Sequence, residues 1–194
     1  TTNISGITTL NLYEKNITDL TGIKAFIALE ELTCSYNRLT TIDISQNSAL
    51  TNLSCIENQL TCLDVSENSS IETLLCNNNQ LTCLNLQNGN NSIISTLNTT
   101  NNPSLTCIQV DNETDANNGV APYNNWQKDD GASYSENCLY ETAINDVNFE
   151  QALIAFGFAS GPLDDYVPTS NINILTSLDV PNENISDLTA IEDF

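Results

Sequence analysis

The chain has 194 residues, four Lys plus Arg against 25 Asp plus Glu, a net charge of −21, and neither His nor Met. So few cations cannot build the positive patch that nucleic acid or an anionic membrane surface requires, and no apolar run approaches the roughly 20 residues of a membrane span. The lack of His excludes Ser-His-Asp and Cys-His catalysis and His-ligated zinc, and the lack of Met points to a processed or excised piece.

In chain order, the first half divides into self-similar units. ITTLNLYEKNITDLTGIKAFIA, from Ile7, is the first, with 22 residues. LEELTCSYNRLTTIDISQNSA from Leu29, LTNLSCIENQLTCLDVSENSS from Leu50 and IETLLCNNNQLTCLNLQNGNNS from Ile71 follow, their starts 21 residues apart. A degenerate unit from Ile94 keeps Leu97 and Asn102. Leu29, Leu32, Cys34 and Leu39 read as inward. Leu32 and Cys34 flank an outward Thr33, and Ile42 and Ile44 flank an outward Asp43, which is strand periodicity. Each coil is therefore expected to carry two short strands on opposite sides, stacked into parallel sheets at about 4.8 Å per rung. Asn37, Asn58 and Asn79 recur at one turn position, where a buried ladder of amides satisfies backbone groups of adjacent coils.

The unit L-x-x-L-x-C-x-x-N-x-L-x-x-L-D-L resembles a leucine-rich repeat, over roughly residues 1–110. The Cys-bearing units are similar to the IRREKO-type bacterial subclass, and the Ile7 unit to the internalin type. The resemblance implies a mainly β repeat solenoid, with coils of 21–22 residues and short parallel strands on both sides.

Seven cysteines fall along these coils and the segment after them. Cys34, Cys55 and Cys76 take an inward position and read as small core hydrophobes; one thiol per rung is no metal site. Cys62 and Cys83 face outward on adjacent rungs. Adjacency favours a bond between them, directly opposed parallel strands disfavour it, and the residues leave the matter open. LTCIQV and NNWQKDDGASYSENC bracket the segment after the last repeat, where a solenoid needs a cap. This segment resembles the C-terminal cap of secreted bacteroidete repeat proteins. On that resemblance a Cys107–Cys138 disulfide is expected, with Trp126 over the end of the core. Disulfides imply an oxidising, extracellular or cell-surface setting.

Beyond Cys138, residues 139–143 read as a linker. INDVNFEQALIAFGF reads as a short capping helix, with Asn145 or Asp146 as its N-cap, Gly157 as its stop, and Phe149, Leu153 and Phe156 on one apolar face. With GPLDDYVPTSNI it resembles the N-terminal cap of flavobacterial leucine-rich-repeat proteins. Residues 169–194 then align without a gap on residues 1–26, at an offset of 168. Asn171 matches Asn3, Leu178 matches Leu10, Asn184 matches Asn16, Asp187 matches Asp19 and Phe194 matches Phe26. The expected organisation is a solenoid at 1–106, a disulfide-closed C-terminal cap at 107–138, a linker at 139–143, and at 144–194 the N-terminal cap and first coil of a second tandem module, its coil left open at Phe194.

Little in the sequence carries chemistry. In DNETDANNG, Asp111, Glu113, Asp115 and Asn117 alternate, a spacing that resembles a calcium loop. A misplaced Gly and a missing bidentate Glu break the EF-hand pattern, and the rival reading is a solvated acidic loop. No other cofactor is expected. Asp43, Asp64 and Asn85 form an outward strand column, not the paired carboxylates of a glycosidase. No phosphate loop or nucleophile elbow occurs. The outward column of Thr33, Ser54, Leu75 and Asn98 is polar, and Tyr13 and Tyr36, near turns, are placed to edge a binding surface. The expectation is a non-enzymatic, extracellular structural or adhesive module of a long surface protein or fibre, whose partners are neighbouring copies of itself. The alternatives are a protein- or glycan-binding module that uses the strand face, and a filament subunit joined end to end.

Overall fold

The computed structural model describes residues 4–138, 141–159, 163, 165–168, 172, 177–180 and 184–188. The chain forms two compact units, Thr1–Cys138 and Leu139–Phe194.

In the first unit, three-residue strands recur once or twice per coil. They are β1 (Thr9–Asn11), β2 (Glu31–Thr33), β3 (Asn52–Ser54), β4 (Cys62–Asp64), β5 (Thr73–Leu75), β6 (Cys83–Asn85), β7 (Thr96–Asn98), β8 (Cys107–Gln109) and β9 (Ser133–Ser135). One parallel sheet has the order β1-β2-β3-β5-β7 and the other β4-β6-β8-β9. The middle residue of each strand points inward and its two neighbours point out, as a period of two demands. The register therefore stacks Leu10, Leu32, Leu53, Leu74 and Leu97 in one column. Leu63, Leu84, Ile108 and Tyr134 form the facing column. These columns, with Leu29, Leu39, Leu50, Leu60, Ile71 and Leu81 from the turns, make one continuous core. Burying each such side chain stabilises the fold by about 1.5–3 kcal/mol.

One expectation about the coils needs correction. The second sheet begins only at β4: the stretch of Ile42, Asp43 and Ile44, which alternates like a strand, forms none. The preceding coil carries a 3-10 turn at Ile23–Ala25 on that side, so it presents no extended partner. Cys107 opens β8 in line with Cys62 and Cys83, and β8 and β9 carry this sheet through the segment expected as the C-terminal cap. Between them lies a short helix α1 (Glu113–Asn117), with the Asn112 side chain accepting from the Asp115 amide at its start. Trp126 closes the core beside Tyr123 and Tyr134, and its indole N–H donates to the Ile94 carbonyl at 2.8 Å.

In the second unit, β10 (Glu141–Ala143) pairs antiparallel with β11 (Tyr166–Pro168) around α2 (Val147–Ala155). Part of the expected linker is thus sheet. The Asp146 carboxylate caps α2 by accepting from the Asn148 and Phe149 amides, and Gly157 ends it at φ 82°. Phe149 and Leu153 are fully buried with Ile144, Val167 and Ile172. Phe156 is instead 53% exposed, because the helix has already ended at Ala155 and the residue has left the apolar stripe. Most of the expected first coil at 169–194, including Phe194, lies outside the described residues.

Candidate binding face

The outer face of the five-stranded sheet is a row of short side chains: Glu31 and Thr33, Asn52 and Ser54, Thr73 and Leu75, Thr96 and Asn98. Their spacing is fixed by the parallel register, so one coil repeats the last at one rung's rise. At the N-terminal end, Tyr13 and Tyr36 are both nearly half exposed, with ring centroids 5.1 Å apart. Tyr36 has φ 59°, in a column of left-handed turn residues with Glu14, Glu57, Asn78 and Asn101. A bulky side chain is uncommon in that region, so an aromatic kept there at the surface marks the turn for attention.

Amides tie adjacent coils together beside this face. Asn58 Nδ2 donates to the carbonyls of Cys34 and Cys55, each at 3.1 Å, and its Oδ1 accepts from the Leu39 amide at 3.0 Å. Asn79 repeats the pattern one coil on, with Cys55, Cys76 and Leu60. Asn37 does so one coil earlier, its Oδ1 accepting from both Lys15 and Ile17. Asn102 adds a fourth rung, through Cys76, Thr99 and Leu81. A second ladder was not expected. Asn47 donates to the Ile23 and Phe26 carbonyls, and Asn68 to those of Ile44 and Asn47. Its signal was the same 21-residue recurrence, one turn further along each unit.

The cysteines separate by burial. Cys34, Cys55 and Cys76 are free and buried. Burial pushes the Cys34 and Cys76 thiols up to about 12 and Cys55 well above its usual value, so none is a thiolate at neutral pH. Cys62 and Cys83, paired across parallel rungs, are disulfide-bonded with Cα atoms 4.8 Å apart. The rung spacing itself lies within the range a disulfide spans, which offsets the opposed geometry. Cys107 and Cys138 are bonded with Cα atoms 5.8 Å apart.

The structure does not gather the calcium-spaced residues into a site. Asp111 accepts from the Gly89 and Asn91 amides at 2.9 and 2.8 Å. Glu113 accepts from the Glu136 amide and the Ser135 hydroxyl, which hold its carboxyl below the usual range. Asp115 lies within α1 against Asn112, and the Asn117 amide donates to the Tyr134 carbonyl. The helix disperses side chains that an extended loop would have converged. Among the described residues, no group of three His, Cys, Asp or Glu is arranged to hold a metal ion.

Coils of 21 residues, an inward Leu column and Asn ladders between parallel sheets define a leucine-rich-repeat solenoid. The chain is 40% identical to Internalin J of Listeria monocytogenes serotype 4b (strain F2365) over 45 residues, which are 23% of this chain and 5% of that protein. Among solved structures it is similar to the functional domain of InlJ from Listeria monocytogenes, whose description includes a cysteine ladder. That likeness has a TM-score of 0.45 and 22% identity, over 68% of this chain and 41% of the other. No family model matches the chain.

Proposed function

We propose that this chain is a non-enzymatic, extracellular structural or adhesive module from a tandem-repeat surface protein. The carrying observation is the 168-residue period that lays residues 169–194 on residues 1–26 without a gap. On this reading residues 1–138 are one solenoid with its C-terminal cap, and 144–194 begin the next module. Two disulfides in one small unit fit an oxidising compartment and so an exported chain. No described helix is long and apolar enough to cross a membrane. The charge of −21 keeps neighbouring arrays apart at low salt and is screened within about 8–10 Å at physiological salt. The test is the denatured mass of the native protein in its source. Masses rising in steps of one module support the array, and a single mass near 21.2 kDa refutes it.

One observation favours a binding role within the array. The exposed Tyr13–Tyr36 pair edges the strand face, and tyrosine gives rigid contact area at little entropic cost. A protein or glycan ligand held there would be lost from the double variant Tyr13→Ala, Tyr36→Ala. Capture unchanged by that variant refutes the use of this edge.

A further inference from the structure

Three of the four bonded cysteines stand in one column. Cys62, Cys83 and Cys107 open β4, β6 and β8, the first three rungs of the second sheet. Cys62 is in register with Cys83, and the pairing of Leu84 with Ile108 sets Cys107 on the next rung after Cys83. The bonds are Cys62–Cys83 and Cys107–Cys138. Cys83 therefore has a cysteine on either side and is bonded to only one of them. The preceding coil has Thr41 at this position, so the column of sulfurs ends at Cys62. Its members differ in exposure: Cys62 is exposed, Cys107 half-buried and Cys83 buried, as is Cys138.

We propose that this column is a thiol relay, which turns reduction of either bond into a reactive, solvent-facing thiol at Cys62. Disulfides exchange when a thiolate attacks one sulfur and displaces the other, with the three sulfurs in line. Cysteines on three consecutive rungs supply that line, with Cys83 at its centre. A thiol or phosphine reductant delivers two electrons to Cys107–Cys138 and leaves two thiols. The Cys107 thiolate then attacks Cys83 Sγ. The Cys83–Cys107 bond forms as Cys62–Cys83 breaks, and the bonding pair leaves on Cys62 Sγ, so this step consumes no electrons. Solvation favours that direction, because an exposed sulfur carries the thiolate charge and leaves more readily than a buried one. The exchange is also nearly neutral in chain entropy: the old bond joins residues 21 apart and the new one residues 24 apart. A first cut at Cys62–Cys83 leads to the same state, since the Cys83 thiolate attacks Cys107 Sγ and expels Cys138. By either route the remaining bond is the middle one, Cys138 no longer ties the cap, and Cys62 is a nucleophile for a partner's disulfide or a soft electrophile. Cys34, Cys55 and Cys76 are buried in the core and take no part.

The test treats the oxidised full chain with a limiting phosphine in mild alkali, then alkylates the free thiols in weak acid, where exchange stops. Mass spectrometry of the digested chain maps the molecules that keep a single bond among these four cysteines. The Cys83–Cys107 bond, with label on Cys62 and Cys138, is expected in at least about a tenth of them. Singly reduced chains that hold only Cys62–Cys83 or only Cys107–Cys138 would overturn the relay. Cys138→Ser decides the case in which the phosphine opens both bonds together. That variant leaves three cysteines in the column with no reductant present, and its free thiol should be found on Cys62 as well as on Cys107. Label confined to Cys107 would overturn the relay there too.

Discussion

Asn58→Ala tests whether the amide ladder, rather than apolar packing alone, holds the coils in register. The structure allows the cost to be apportioned. The Cys34 carbonyl keeps the Asn37 amide as a second donor, and the Cys55 carbonyl keeps Asn79. The Leu39 amide has only Asn58 Oδ1, and it lies in a fully buried residue. An orphaned buried donor costs about 1–3 kcal/mol, and each lost carbonyl bond about 0.5–1 kcal/mol. The substitution should therefore destabilise the first unit by about 2–5 kcal/mol, a large share of a typical domain's 5–15 kcal/mol. Urea unfolding followed by circular dichroism should show a lower midpoint at unchanged slope.

Asn58→Asp sharpens the test. The carboxylate still accepts from Leu39, but it faces the Cys34 and Cys55 carbonyl oxygens with nothing to donate. Burial and those oxygens should raise its folded-state pKa above the ordinary value near 3.9. A group so raised leaves stability intact below the unfolded pKa and removes it as pH climbs through the folded one. The difference from the native chain should thus be small near pH 3 and grow towards pH 7. An alanine cost below about 1 kcal/mol, or an aspartate cost independent of pH, would refute the ladder's role.

Four further outcomes follow from the same geometry. Leu53→Asp or Leu74→Asp should unfold the first unit cooperatively, since an unpaired buried charge costs several kcal/mol; unchanged melting would disprove the register. Ellman's reagent should find no thiol in the native chain and three after denaturation without reductant, and rapid native labelling would contradict the burial of Cys34, Cys55 and Cys76. Replacing Cys107 and Cys138 by Ser opens a 31-residue loop and should cost about 3–4 kcal/mol in chemical unfolding; a cost near zero would show that the cap does not depend on the bond. The Ser186 hydroxyl and amide hold the Asp146 carboxyl well below its usual range, so its stabilisation of the second unit is present above the ordinary pKa and is lost as pH falls through the folded value. Asp146→Asn should flatten the acid limb of that unit's unfolding profile, and an unaltered limb would rule the linkage out.

What was legible in the chain was whatever repeats. Leu32, Leu53 and Leu74 recur at one spacing, and a recurring inward residue can be assigned without knowing its partners. Asn47 and Asn68 were equally periodic, yet a polar residue at a turn reads as solvated until the carbonyls of the previous coil are in view. Ile42 and Ile44 show the converse. Their alternation is local, but a strand is fixed by its partners, and the preceding coil offers a 3-10 turn. Asp111, Glu113, Asp115 and Asn117 were open to two readings for a related reason. Their spacing suits a loop, but Asn112 caps a helix there, and the Asp111 carboxylate is claimed by amides twenty and more residues upstream. Nothing in the local pattern places those amides.

The ends of the ladders show how the acidic residues serve the fold. An interior rung of the first ladder needs an amide, because it donates to carbonyls of its own and the previous coil and accepts from an N–H. At the last rung, the remaining need is for acceptors. Asp129 supplies them, its two oxygens taking the Asn101 and Asn102 amides at 3.0 and 2.8 Å. Asp111 does the same beside Asn91, whose side-chain oxygen in turn accepts from the Asp111 amide. Asp146 meets the equivalent need where the second unit begins, on Ser186 and Asp187. A carboxylate suits these places because it can accept twice and its charge strengthens each bond.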